Sequence, residues 1–522
     1  MKITFAYADD ENLGLQYLSA VLKQHGHQTE LVFDPALFDD CQIQAGFLHR
    51  LFSFEDQVVD DIIASGPALI GFSLLTDNYP WFKRIAKAIK ERADIPIVVG
   101  GIHATSVPDV VIREPFVDYL ITGEGEYPLR ALVEHLEGRR PVEEVPSLWY
   151  KSGEQVRRTT ALPKIADLDD IPYPDKDLFY EKAPMYRHIY FMEASRGCAY
   201  KCTFCHHSVD KDEPQTKRSY RTRSVPHVID ELVKAKQKYK MHSVYFTDEL
   251  FGLDIEWLRE FSREYREKVA VPFSCSMYPS TIDEEKGRLL RDASCFMVEM
   301  GVQSINTDMK RKLNRFETNG RVEQAIAILQ ENGIKVHAQN IIALPGEREE
   351  HLKEMLEFYS RVKPDVAFFF WLRYYPRTAI IKDALAEGIM TPEQVKLIED
   401  GHFPGTLNTG GTFSNRFADR YYLLLNLAKY LPHRFVKYII AKDLIHRFPN
   451  LPLRRINNII IFFTQRFDEL LPSRYGSKIY RFNRAVGRYS HFTWKKIFGR
   501  RRKKTPPPDP VGLDPACPPR AS

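Results

Sequence analysis

Ile189-Tyr190-Phe191-Met192-Glu193-Ala194-Ser195-Arg196-Gly197-Cys198-Ala199-Tyr200-Lys201-Cys202-Thr203-Phe204-Cys205 runs from a short apolar segment into a loop with three cysteines in eight residues. An apolar run of that length reads as a buried strand. The loop behind it is a place where thiolates can converge. Three thiolates can hold three irons of a cubane cluster, which leaves the fourth iron open to another ligand. The same residues could make a zinc site completed by His206 or His207, or stay reduced thiols, although structural zinc sites usually split their ligands between two pairs. Seven cysteines in 522 residues do not suggest a disulfide framework.

Outward from that loop, apolar runs recur at Val244–Phe246, Phe273–Cys275, Phe296–Met300, Val336–Gln339 and Val366–Phe370. With Ile189–Glu193 they predict six strands with intervening helices, a partial (β/α)6 barrel over residues 187–400 whose chemistry sits at the C-terminal strand ends. A second series lies upstream, at Ile3–Tyr7, Leu31–Phe33, Leu69–Ser73, Ile97–Val99 and Tyr119–Ile121, with a helix that stops at His25-Gly26-His27. It predicts an α/β domain over residues 1–140, a doubly wound parallel sheet of Rossmann or flavodoxin type. Ligands of such sheets bind beyond the carboxyl ends of the strands. Those ends carry Ser73 and Thr76, then Gly100, Gly101 and His103, then Gly123, Glu124, Gly125 and Glu126. Glycine there permits close backbone approach to a ligand, although a lone histidine such as His103 is as often a loop anchor. Residues 141–186 are rich in Pro and Asp and read as an ordered linker. Beyond about residue 400 the strand signal stops. Residues 401–504 read as mainly helical and basic, with Tyr421–Tyr438 helical and Arg454–Arg466 an apolar core between arginines. The tail 505–522 reads as disordered.

The length predicts about three domains. Hydrophobic residues at 44 % and charged residues at 27 % exclude a disordered or collagen-like chain. The start shows no charged n-region followed by an apolar h-region, and no stretch nears about 18 uninterrupted apolar residues, so a cytoplasmic protein is expected. The net charge of +5 is unevenly placed: residues 415–504 hold 22 Lys/Arg against 4 Asp/Glu, leaving the rest acidic. Asymmetry of this kind concerns a partner or a surface.

The Cys-x3-Cys-x2-Cys spacing with Phe204 before the last cysteine resembles the radical S-adenosylmethionine (SAM) superfamily. Together with the upstream sheet, residues 1–385 resemble its cobalamin-binding subclass. The resemblance implies a 4Fe-4S cluster on Cys198, Cys202 and Cys205 whose open iron takes the amino and carboxylate groups of SAM. It also implies a 5′-deoxyadenosyl radical, cobalamin as a third cofactor and a flavodoxin- or ferredoxin-type electron donor. By the same resemblance Phe204, Asp248, Glu249, Gln303 and Ser304 lie near SAM. Asp248 and Glu249 could equally cap a helix. The loops at Ser73–Thr76, Gly100–His103 and Gly123–Glu126 resemble corrin-facing loops. Three departures stand out. Ala343 and Arg377 occupy positions where glycine is commoner, and Tyr278-Pro279 follows the third barrel strand where many relatives carry arginine. No Asp-x-His-x-x-Gly occurs, so no residue matches a histidine below cobalt; a degenerate sheet that only packs on the barrel is the alternative.

The resulting expectation is a cobalamin-dependent radical SAM methyltransferase acting on an unactivated carbon. Oxidation, cyclisation or rearrangement of an apolar substrate from the same radical is the alternative. A third reading, from another class, is a nucleic-acid-binding module in the basic C-terminal region. That region alternates Lys/Arg with apolar runs such as Tyr421–Leu425, Phe435–Ile440 and Ile459–Phe463. Such a pattern suits the headgroups of an anionic membrane. It predicts peripheral contact with the inner membrane face and an apolar or lipid-like substrate.

Overall fold

The computed structural model describes residues 1–39, 46–212, 220–402, 416–447 and 487–496. Its first sheet is built from β1 (Lys2–Ala8), β2 (Gln28–Asp34), β3 (Leu69–Ser73), β4 (Ile97–Gly100), β5 (Tyr119–Ile121), β6 (Leu148–Ser152) and β7 (Gln155–Arg158), in the order β2-β1-β3-β4-β5-β6-β7. The five strands to β5 pair in parallel, and β6 and β7 add antiparallel. Helices cover both faces, so the central strands bury nearly every residue; in β3, Leu69, Ile70 and Phe72 are all buried. The helix Leu13–Gln24 ends where the sequence says it should, with Gly26 at φ 80°. The Pro-rich stretch 141–186 is more than a linker, since it supplies β6 and the edge strand β7.

The second sheet holds β8 (Ile189–Met192), β11 (Ser243–Phe246), β12 (Phe273–Met277), β13 (Cys295–Gln303), β14 (Lys335–Ile342) and β15 (Val366–Trp371), all parallel and in that order. Alternate residues (Tyr190, Met192, Val244, Phe246, Val298, Met300, Val336, Ala338, Ala367 and Phe369) join one core with the surrounding helices. The residues between them, including Phe191, Tyr245, Glu299, Gln339, Phe368 and Phe370, point to the inner face. The barrel is open: β8 and β15 are its two edges. A short antiparallel pair, β9 (Ser195–Arg196) with β10 (Arg221–Thr222), flanks the cysteine loop.

The predicted helix Tyr421–Tyr438 is two helices, Arg416–Leu427 and His433–Ala441, separated at Pro432. They pack on the barrel through Tyr421, Tyr422 and Val436. Farther along, Phe492 enters the core of the first sheet, against Phe33 and Phe54. Arg454–Arg466 and the tail 505–522 lie outside the described residues. Among the described residues no helix is long and apolar enough to cross a membrane.

Candidate active site at the facing strand ends

The carboxyl ends of the two sheets face each other. Ser106, in the helix after β4, lies 3.3 Å from Nδ1 of His206, the residue after Cys205. Lys176 bridges the same gap at the other side: its Nζ donates to Glu11 Oε1 at 3.0 Å and to the Phe191 carbonyl of β8 at 2.7 Å. Asp77 meets Arg373 at 2.8 Å and Asp109 meets Arg377 at 2.7 Å. Any group held at one set of strand ends is therefore presented to the other.

The cysteine loop is pinned from the connections that follow β13 and β15. Thr203 N donates to Leu313 O (3.2 Å) and Thr203 Oγ1 to Lys312 O (2.9 Å). Ile380 N donates to Thr203 O (2.9 Å), and Asn314 Nδ2 to Lys201 O (2.8 Å). Phe204 packs into a small core with Leu313, Leu344 and Ile380. Burial pushes the Cys198 thiol up to about 11 and Cys205 to about 12, with Glu249 adding in both cases. Cys202 is raised by burial too, but Arg315 Nη1 lies 3.7 Å from its Sγ and opposes the rise. Bare thiolates are thus costly here, and cations that replace their protons relieve the cost. The donor set, three free thiols carried on one short loop, fits three irons of a cluster.

Arg315 is the functional residue that the sequence reading missed. Its guanidinium lies 4.2 Å from the Tyr278 ring centre, donates to Glu317 Oε1 at 3.0 Å and to Gly301 O at 2.5 Å. Tyr278 stacks on Tyr200 of the cysteine loop, 3.8 Å apart. Tyr278, which follows the third barrel strand, is thus met by an arginine from the turn between the helices Thr307–Lys312 and Asn319–Glu331. Nothing local in the sequence marks it.

The other barrel candidates separate into two kinds. Asp248 is buried; it accepts from Ala194 N at 3.0 Å and Ser195 Oγ at 2.5 Å, and burial raises its carboxyl to about 7. It ties β11 to the segment leading into the cysteine loop. Glu249 stays exposed, 3.8 Å from His207 and electrostatically close to Cys198 and Cys205. Gln303 sits at a bulge with φ 66°, and a Cβ on Gly301 would meet its Nε2 at 2.6 Å. Ser304 is buried beside it. Ala343 (φ 62°) and Arg377 (φ 59°) hold the left-handed backbone that glycine would adopt without strain.

In the first sheet, Gly101 (φ 92°) is required: a Cβ would meet Leu74 N at 2.7 Å and Leu74 O at 2.8 Å. This contact stitches the loops after β3 and β4 together. A Cβ on Gly123 would meet nothing within 4 Å, and one on Gly100 only Ile121 O at 3.5 Å, so protein atoms do not close off these two positions. His103 is fully buried, 4.4 Å from the Tyr79 ring, with Thr76 Oγ1 at 3.2 Å from Nδ1. Burial first, then Lys83, lowers it to about 4. It anchors the loop and takes Thr76 with it. Glu124 and Glu126, read as ligand-facing, instead pair with barrel arginines: Arg221 Nη2 to Glu124 at 2.7 Å and Arg196 Nη2 to Glu126 at 2.8 Å. Gly125 lies between them, against Leu18. These residues fit a corrin approached through glycines, without an imidazole from His103.

Residues 192–359 match the radical SAM superfamily model and residues 4–133 the B12 binding domain model. An uncharacterized methyltransferase of Pyrococcus horikoshii is 27 % identical over 390 residues, 72 % of this chain and 79 % of that protein. The anaerobic magnesium-protoporphyrin IX monomethyl ester cyclase of Rubrivivax gelatinosus is 29 % identical over 375 residues, 69 % of this chain and 63 % of the cyclase. Among solved structures, the cobalamin-dependent SAM radical enzyme OxsB with aqua-cobalamin and SAM bound shares the fold. Its TM-score is 0.63 at 15 % identity, covering 95 % of this chain and 84 % of that one.

Proposed function

Because this chain belongs to the radical SAM superfamily and carries a B12-binding domain ahead of its barrel, we propose that it is a cobalamin-dependent methyltransferase acting on an unactivated carbon. The observation that carries this reading is the opposition of the two strand-end sets, with Ser106 against His206. When bound, the cluster with SAM supplies a 5′-deoxyadenosyl radical and cobalamin carries the methyl group to be delivered. The residues of the chain hold and separate these groups. Cys198, Cys202 and Cys205 bind the cluster, with Arg315 donating toward Cys202 and Tyr200–Tyr278 walling its side. Glu249, Gln303, Ser304 and Phe204 line the SAM side, and Asp248 fixes the backbone that leads into the loop. Gly100 and Gly123 admit the corrin, Gly101 and Gly125 let their loops pack against Leu74 and Leu18, and the buried His103 with Thr76 and Ser73 holds the loop behind. We divide the chain into a corrin domain (1–140, with its sheet completed by β6 and β7 from the segment 141–186), the barrel (187–400), a basic C-terminal region (401–504) and a tail (505–522).

The substrate is apolar: Phe191, Phe368 and Phe370 lie half-buried on the inner barrel face, with Phe368 and Phe370 ring centres 4.4 Å apart. Phe435 and Tyr438 are exposed beside Lys437 on the helix His433–Ala441, which supports contact with an anionic membrane face. Electrons come from a flavodoxin- or ferredoxin-type donor. A second reading, radical cyclisation, is supported by the relative named as a cyclase. The test is anaerobic reconstitution of the full chain and its Cys198→Ala, Cys202→Ala and Cys205→Ala variants, with iron content and reductive SAM cleavage measured. Each variant should lose both. Variants that keep both refute the ligand assignment, whereas Cys275 and Cys295, buried in the barrel core, should be dispensable. Liposome sedimentation checks the membrane contact, which requires stronger binding to anionic than to neutral vesicles.

A further inference from the structure

Arg196 lies two residues before Cys198, and Gly197 between them has φ 83°. The guanidinium is enclosed by three carboxylates: Glu193 at 2.7 Å, Glu126 at 2.8 Å and Glu124 at 3.5 Å. Its remaining face lies over Tyr17, 5.0 Å from the ring centre. Arg221 stands opposite Arg196 in the β9–β10 pair and takes Glu124 with both terminal nitrogens, at 2.7 and 3.1 Å. Arg221 also donates to the Ile165 carbonyl, and Ile165 N donates to Glu124 at 2.7 Å. Glu124 and Glu126 flank Gly125 at the end of β5, on the loop that admits the corrin. A planar guanidinium bonded at several edges fixes orientation as well as distance, which a lysine cannot do.

We propose that Arg196 and Arg221 are positioning residues that lock the corrin-admitting loop after β5 to the cysteine loop after β8, and so set the separation of cobalt and cluster. The inference rests on the cobalamin reading above. Neither arginine touches a reacting atom. Their effect is on how closely the SAM methyl carbon, held at the cluster, approaches the cobalt.

The test uses the full chain reconstituted anaerobically with cluster and cobalamin. One readout is the dipolar distance distribution between low-spin Co(II) and the reduced cluster. The second is transfer of a CD3 group from labelled SAM to the corrinoid reduced to Co(I). In that step the Co(I) electron pair forms the Co–C bond, the S–C bond breaks with its pair left on sulfur, and S-adenosylhomocysteine leaves. Arg196→Gln should broaden the distance distribution and slow CD3 transfer about 100-fold, the cost of roughly 1 Å of misplacement. Iron content and reductive SAM cleavage, which depend on the cysteine loop and the SAM-facing barrel residues and not on the pairs with Glu124 and Glu126, should stay unchanged. Because Arg196→Gln leaves carboxylates unpaired and endangers the fold, Glu126→Gln serves as the second variant, with the same signs and a smaller effect. Arg221→Lys should restore less than Arg221→Gln loses, since charge without the fork does not fix orientation. Unchanged distances and CD3 transfer in Arg196→Gln and Glu126→Gln would overturn the proposal. A wild-type chain that binds no corrinoid would bring down the cobalamin reading itself, and this proposal with it.

Discussion

The two edges of the open barrel are both joined to the first sheet, but by different means. At the β8 edge Arg196 is 13 % exposed and its partner Glu126 6 %, and Lys176 with Glu11 is closed off from water altogether. At the β15 edge Arg377 is 39 % exposed and Asp109 47 %, while Arg373 is buried but faces a partner one-third exposed. Buried pairs lose much when one partner is removed, because the other charge is left without water or counter-ion. Exposed pairs lose little. The β8 side therefore acts as the fixed joint between the two sheets, and the β15 side as the looser one.

The largest expected effect tests the fixed joint. Arg196→Gln should lower unfolding stability by about 3–5 kcal/mol in denaturant titration, with little dependence on salt. A loss below about 1 kcal/mol would place the two edges on one footing.

A second break concerns pH. Each side carries a buried acid: Asp248 after β11 is raised to about 7, and Glu347 in the loop after β14 is raised from the ordinary 4.5 to about 8. Burial dominates both, although Glu347 Oε2 accepts from Ala343 N at 2.7 Å. A folded value above the unfolded one means that the folded state holds the proton more tightly. The stabilisation is thus complete below about pH 4 and is lost as pH rises through about 7 for Asp248 and about 8 for Glu347. Glu347→Gln should flatten stability against pH up to about 8, and Asp248→Asn only up to about 7. Identical profiles for both variants and the parent chain would refute these assignments.

Smaller effects belong to the loose joint. Arg373→Gln should cost about 1–2 kcal/mol, discounted for the exposed Asp77. Arg377→Gly should come out within about 1 kcal/mol of neutral, because relief of the left-handed backbone offsets the lost ion pair and the added freedom of the unfolded chain. A drop of several kcal/mol on Arg377→Gly would show that its pair with Asp109 is no mere surface contact.

Most of the fold was legible because strands buried on both faces are continuous apolar runs. Leu69–Ser73 and Tyr119–Ile121 match their predicted limits, and the other nine strands differ by a few residues at the ends. The edge strand β7 was not legible: Val156, Arg157 and Arg158 are exposed and carry no apolar alternation. At the site, the cysteine spacing and the two glycine substitutions, Ala343 and Arg377, could be read locally. The roles of Glu124, Glu126 and Arg315 could not, since their partners lie far along the chain and leave no periodic trace. Carboxylates on a glycine-rich loop look ligand-facing until the opposing arginines are seen.

The central claim is that one chain presents a cluster and a corrin to each other across facing strand ends. It is tested most directly by incubating the reduced, reconstituted full chain with SAM deuterated in its methyl group, then analysing bound iron and corrinoid. One four-iron cluster and one corrinoid per chain are expected, with the deuterated methyl group on the corrinoid and no nitrogen coupling from His103 in the Co(II) spectrum. A chain that holds four irons and cleaves SAM but retains no corrinoid would contradict it.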